Sequence, residues 1–174
     1  MISRTIVYVG PVMSGRSTSL KSVLLRSEQE LAQRTVDTRK SYSVRVGSVP
    51  VTATIAVARA GRYYTRTPTD GRIQAELDDI VRADGLVFVV DSQRARLPAN
   101  ADERAKLALD LKSRGISIDD VPIVFQANKR DLPTAVLLDE LRTLYSTRRS
   151  VFVESIAKDG IGTSESIAAL LDMF

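Results

Sequence analysis

The sequence predicts an α/β fold: a six-stranded, mostly parallel sheet with one antiparallel edge strand and helices on both faces. Three observations predict it. Short continuous apolar runs, suited to strands buried on both faces, alternate with stretches whose apolar residues recur at helical spacing. Two strand-like segments are separated by only a few turn residues, too few for a crossover, so they must pair antiparallel. The 174 residues, 44% hydrophobic and 26% charged, fit one globular domain over 1–174, with no linker, repeat or low-complexity segment.

The elements follow in order. Residues 6–9 form the first buried strand. Leu20, Val23, Leu24 and Leu31 then keep helical spacing. Tyr42, Val44 and Val46 alternate with Ser43 and Arg45, the pattern of a half-exposed strand. Gly47, Ser48 and Pro50 read as a turn, and residues 51–57 as the strand that pairs back on it. Residues 58–72 read as an irregular loop. Ile73, Leu77, Ile80 and Val81 mark the inner face of a helix, and residues 86–90, the most hydrophobic run, a central strand. A helix over roughly 101–114 turns Leu107 and Leu111 inward, and residues 121–125 make a further buried strand. Leu137, Leu141 and Leu144 define the next helix, and residues 151–153 a short last strand. The final helix opens near Thr163 and Ser164 as N-caps and buries Ile167, Leu170, Leu171 and Phe174. The order is βαββαβαβαβα, and ligands of such sheets bind at the carboxyl ends of the strands.

Composition removes whole classes of chemistry. There is no Cys, His or Trp, and of 25 basic residues 19 are Arg and six Lys, against 21 acidic, for a formal charge of +4. Without Cys there is no disulfide, thiol nucleophile or thiolate metal site. Without His the usual neutral-pH base and the commonest nitrogen ligand for metals are gone, and any metal must be a hard cation held by oxygens. Backbone amides, Arg, Lys, hydroxyls and carboxylates remain. The modest charge and the lack of aromatics among the basic residues argue against nucleic acid. No apolar stretch reaches the roughly 20 residues of a membrane span, and neither a signal layout nor a lipidation motif is visible, so a cytoplasmic protein is expected.

Three motifs fall where strands end. The first strand runs into Gly10-Pro-Val-Met-Ser14-Gly15-Arg16-Ser17-Thr18, the spacing G-x-x-x-x-G-[K]-[S/T] of a phosphate-binding loop with Arg16 in place of Lys. Its glycines let the backbone approach phosphate, successive amides and a helix N-terminus face the anion, and Ser17 offers a hydroxyl to Mg²⁺. The second motif is Asn128-Lys129-Arg130-Asp131. The Asp131 carboxylate can accept from both the ring N–H and the exocyclic amine of guanine, a donor pair that adenine lacks. Lys129 can lay its aliphatic stem along the base, and Asn128 can bridge neighbouring loops. The third is Glu154-Ser155-Ile156-Ala157-Lys158, whose small Ala157 lets a backbone amide approach the guanine carbonyl. Each alone also reads as an ordinary turn at a helix entry, but three in the right order are far more specific.

With these motifs the chain resembles the Ras-like small GTPases over almost its whole length. The segments 86–92 and 127–133 look like the Arf branch; the segments 6–11, 87–93 and 128–133 look still more like the bacterial gliding-motility GTPases of the MglA type. The resemblance implies a P-loop small GTPase fold and a GTP/GDP- and Mg²⁺-dependent molecular switch that regulates polarity, motility or a related machine. It implies effector proteins and an activating partner of the roadblock (longin-like) type. It carries nucleotide binding onto Gly10, Ser14, Gly15, Arg16, Ser17, Thr18, Asn128, Lys129, Asp131, Ala157 and Lys158.

The departures from the family cluster around phosphate. Arg16 has the charge of the family's Lys on a wider, planar head, which predicts weaker nucleotide affinity. Where D-x-x-G-Q is expected, residues 58–62 read Ala58-Arg59-Ala60-Gly61-Arg62. Gly61 fits the glycine whose amide meets the γ-phosphate, Ala58 cannot support Mg²⁺, and Arg62 cannot accept a hydrogen bond from an attacking water. Thr35, Thr38 and Ser41 all offer hydroxyls for the first switch; Ser41 sits best before the strand at Tyr42 as a second Mg²⁺ ligand, and Arg39 or Lys40 could act as a finger in cis. Hydrolysis is therefore expected to be slow or partner-dependent. The alternative is a non-hydrolysing pseudo-GTPase that serves as an interaction scaffold. A third reading takes the four arginines of 59–72, opposed by Asp70 alone, as an anion-binding surface.

Overall fold

The computed structural model describes the backbone of residues 4–26, 41–46, 49–55 and 71–174, and the side chains of 4–26, 51–52 and 77–174. Its elements are β1 (Arg4–Val9), α1 (Arg16–Arg26), β2 (Ser41–Val46), β3 (Val49–Ile55), α2 (Gly71–Arg82), β4 (Gly85–Asp91), α3 (Leu97–Ser113), β5 (Ile123–Asn128), α4 (Leu138–Tyr145), β6 (Ser150–Glu154) and α5 (Thr163–Leu171). The six strands lie in the order β2-β3-β1-β4-β5-β6. All neighbours are parallel except β2 and β3, so the one antiparallel strand is an edge, as expected.

The strand order follows from the residues. β1, β4 and β5 are buried at nearly every position, the signature of strands covered on both faces. Alternate residues feed two cores. Ile6, Tyr8, Val87, Val89 and Val124 pack with Leu20, Val23 and Leu24 of α1 and Ile167 and Leu170 of α5. Val7, Val9, Leu86, Phe88, Val90, Ile123 and Phe125 pack on the other face with Leu107 and Leu111 of α3 and Leu141 and Tyr145 of α4. Each of these large side chains is worth about 1.5–3 kcal/mol once buried. Together they hold the carboxyl ends of β1, β4, β5 and β6 at one rim of the sheet.

Several local expectations are corrected. Pro50 lies inside β3, opposite Arg45, rather than in the turn; among the described residues the pairing of β1 with β3 begins at Arg4 and Val51. β3 spans Val49–Ile55, and residues 56–57 lie outside the described residues. α3 starts a turn earlier than expected, because Pro98 falls in the first helical turn, where a missing N–H costs nothing. β5 is displaced towards the site: Val121 precedes it, and the strand continues through Gln126 to Asn128. Gln126, just past the expected end of the strand, is fully buried, and its Nε2 donates to the hydroxyls of Ser19 (2.7 Å) and Ser155 (3.1 Å).

α4 is rotated relative to the expectation. Leu141 is buried, but Leu137 precedes the helix and is 75% exposed, and Leu144 is 49% exposed; Tyr145 takes the inner position. α5 is preceded by Gly162 as N-cap, at φ 75°, rather than by Thr163 or Ser164. Thr163 is the first helical residue, and its hydroxyl donates to the Gly160 carbonyl. Ile167 and Leu170 are buried as expected, while Leu171 is half-buried and Phe174 exposed, under the Arg4 guanidinium at 4.5 Å.

Candidate functional site

The end of β1 turns abruptly at Gly10 (φ 132°) into a loop that closes at Gly15 (φ 107°), where α1 begins. Both glycines are required by space as well as by φ. A Cβ on Gly10 would run into the Val89 carbonyl of β4, and one on Gly15 into the Asn128 amide. Met13 also takes a positive φ, 67°, an unusual conformation for a side chain of its size. Ser17 and Thr18 lie exposed in the first turn of α1. The Ser14 side chain is buried, and its Oγ meets no hydrogen-bonding partner among the described residues.

Asn128, the last residue of β5, joins this loop to the two others. Its Nδ2 donates to the Ser14 carbonyl at 2.8 Å, and its Oδ1 accepts from the Ala157 amide at 2.9 Å and from the Ser155 hydroxyl at 3.1 Å. A second route runs beneath: Gln126 donates to the Ser19 hydroxyl, which in turn donates to the Gly15 carbonyl at 2.9 Å. The phosphate-type loop, the Asn128–Asp131 segment and the Ala157 turn are thus fastened together at one rim. Sequence reasoning anticipated the bridging role of Asn128; it missed Gln126, Ser19 and Ser155, which are ordinary polar residues until the fold brings them together.

The remaining expected residues are placed as follows. Lys129 has a positive φ, 64°, and its Nζ lies 2.7 Å from Asp91 Oδ2 at the end of β4. The Asp131 carboxylate is 3.2 Å from Lys158 Nζ, which also meets Asp159 at 3.3 Å. The hydrogen bond to Asp131, then that to Asp159, holds the Lys158 ammonium above the usual lysine range. Arg16 is the first residue of α1 and is half-buried. Burial pushes the Glu103 carboxyl up, and the charges of Lys106 and Arg16 work against that rise. Ser41 is the first residue of β2, its backbone opposite Thr54 of β3, rather than ahead of the strand; its side chain lies outside the described residues. Gly61 and Arg62 lie outside the described residues, as do Thr35, Thr38, Arg39, Lys40 and Ala58. Among the described residues no group of three or more acidic side chains could hold a metal ion, and no helix is long and apolar enough to cross a membrane.

Asp91 lies in the segment 86–92 that carries the Arf-like resemblance, but its part in the site is visible only in the structure. Its side chain is 1% exposed, and it accepts from Lys129, from the Gln93 backbone amide (3.2 Å) and from Gln93 Nε2 (3.1 Å). Arg96, from a short 3-10 turn over Arg94–Arg96, approaches it at 3.6 Å.

No family model matches the chain. The gliding-motility protein MglA of Myxococcus xanthus is 28% identical over 173 residues, 97% of this chain and 89% of that protein. Human ADP-ribosylation factor-like protein 4D is 34% identical over 99 residues, 53% of this chain and 47% of its own. Among solved structures, the Arl6 (BBS3) small GTPase of Trypanosoma brucei, with a bound nucleotide analogue GppNp, superposes with a TM-score of 0.66 at 21% identity, covering 98% of this chain and 96% of that one.

Proposed function

We propose that this chain, which shares the fold of the Arl6 small GTPase and is similar in sequence to MglA, is a guanine-nucleotide-binding switch with slow or partner-dependent GTP hydrolysis. The observation that carries this reading is the convergence of the loop from Gly10 to Gly15, the Asn128–Asp131 segment and the Ala157 turn through one buried amide, Asn128. Phosphate would meet the amides of the loop and the start of α1. Guanine would meet the Asp131 carboxylate, with Lys129 along the base and the Ala157–Lys158 turn beside its carbonyl.

Mg²⁺ fits this site only in company. Ser17 supplies one exposed hydroxyl, Ser41, whose side chain lies outside the described residues, is the second ligand of this reading, and phosphate oxygens and water would complete the shell, as this cation prefers. Bound there, the ion would neutralise charge on the β- and γ-phosphates. Arg62 takes the place of a water-orienting Gln and can only donate, which leaves positioning of the attacking water to another group or to a partner. The process served, by analogy with the name of the Myxococcus relative, is motility; the family resemblance extends this reading to polarity in the cytoplasm, with an activating protein of the roadblock type and downstream effectors.

A second reading is a non-hydrolysing scaffold. Arg16, Ala58 and Arg62 motivate it, since all three depart from the family at the phosphate site while Asp131 and its neighbours keep the base motif. Chromatography of the nucleotide released from natively purified protein separates the two. GDP at near one per chain supports a switch that turns over, and GTP alone supports a non-hydrolysing one. A chain that carries no nucleotide and binds none at micromolar concentration refutes the proposal.

A further inference from the structure

The phosphate-type loop is held at two points, and only one belongs to the recognised motifs. Asn128 grips the Ser14 carbonyl. Two residues earlier in the loop, Arg96 Nη2 donates to the Val12 carbonyl at 2.7 Å. Its Nε faces Asp91 Oδ2 at 3.6 Å. That carboxylate, buried at the end of a central strand, is the same one that holds Lys129 Nζ at 2.7 Å. Asp91 also stands opposite Asn128 in the β4–β5 register, so both grips arise from one pair of adjacent strand ends.

We propose that Arg96 is a positioning residue for the nucleotide site, a latch that fixes the phosphate loop through Val12 and is itself fixed by Asp91. A guanidinium suits the task because its planar fork can donate to a carbonyl from one nitrogen while another faces a carboxylate. Val12 is 36% exposed and Met13 78%, so the outer side of the loop has little packing to keep it in shape. Its amides must nonetheless point at one place to receive phosphate, and a charge-assisted bond to a loop carbonyl is the kind of restraint that does this. Through Asp91, the loop and the base-side Lys129 share one anchor, so disturbing either is felt at the other. The latch rests on the proposed nucleotide reading for its purpose but not for its geometry.

The test uses the full chain. Amide hydrogen exchange on nucleotide-free protein compares wild type with Arg96→Ala and Arg96→Lys, and stopped-flow release of fluorescent mant-GDP is measured on the same three proteins. Arg96→Ala is expected to speed exchange across residues 10–16 and to raise mant-GDP release about five- to tenfold. Arg96→Lys, which can still donate to Val12, should recover part of both, while circular dichroism and exchange in β5 and α5 stay at wild-type values. Unchanged loop exchange in Arg96→Ala overturns the latch whether or not nucleotide binds. Faster exchange with wild-type release rates overturns its role in nucleotide positioning and leaves the guanine-nucleotide reading standing. A wild-type protein that binds no mant-GDP removes both the nucleotide reading and the purpose of the latch.

Discussion

Asn128 shows how one side chain sets the geometry of three loops. Both ends of its amide are engaged, the nitrogen on Ser14 and the oxygen on Ala157 and Ser155, and the residue is only 3% exposed. Truncation does more than remove favourable contacts, because it leaves a buried carbonyl and a buried N–H without partners. Asn128→Ala should therefore cost about 2–3 kcal/mol of stability, at the upper end for a single polar side chain, read from urea unfolding. A loss below about 0.5 kcal/mol would mean that water replaces the amide freely and that the loops are not joined through it. The role of Asn128 was legible because its neighbours in sequence form a motif. The partner of Lys129 was not, since Asp91 lies 38 residues away and only the parallel register of β4 and β5 brings the two together.

The identity of the elements was easier to read than their phase or their ends. Strands buried on both faces announce themselves by continuous apolar runs, and β1, β4 and β5 lie where those runs are. Helix α4 shows the limit. Three leucines at 137, 141 and 144 fit one helical stripe, yet only Leu141 is buried, and the inner face is completed by Tyr145, whose hydroxyl donates to the Leu97 carbonyl at 2.9 Å. In a short helix a partly polar aromatic and a leucine compete for the same face, and the available partner for the hydroxyl settles it. The two leucines should then differ sharply on truncation. Leu141→Ala should cost about 2–4 kcal/mol through lost burial and the cavity left behind, whereas Leu144→Ala should stay within about 0.5 kcal/mol. Equal costs in chemical denaturation would show that the helix sits in the phase the leucine spacing implied.

For the whole molecule, the sequence made the architecture and the rim that carries the site legible, because both follow from apolar patterning and from three motifs at strand ends. The polar web beneath that rim was hidden. Gln126, Ser19 and Arg96 lie outside the motifs, Ser155 and Asp91 lie in matched segments without a role read for them, and all five meet only once the parallel sheet has fixed its register. Since this web ties α1, β4, β5 and β6 together at the place where nucleotide is proposed to sit, ligand binding should be felt as global stability rather than as a local change. A ligand that binds only the folded chain and is present at a hundred times its dissociation constant adds about 2.7 kcal/mol. For a chain of 174 residues that corresponds to a rise in Tm of roughly 5–10 °C. GDP with Mg²⁺ should produce such a rise, ADP should not, and Asp131→Ala should abolish the response to GDP while melting near the wild-type temperature without ligand. The last expectation follows from the position of Asp131, whose one described ion-pair partner is the mostly exposed Lys158, a pairing of the kind worth little to stability. An equal response to GDP and ADP would place the bound group at the phosphate loop alone and remove Asp131 from the base site.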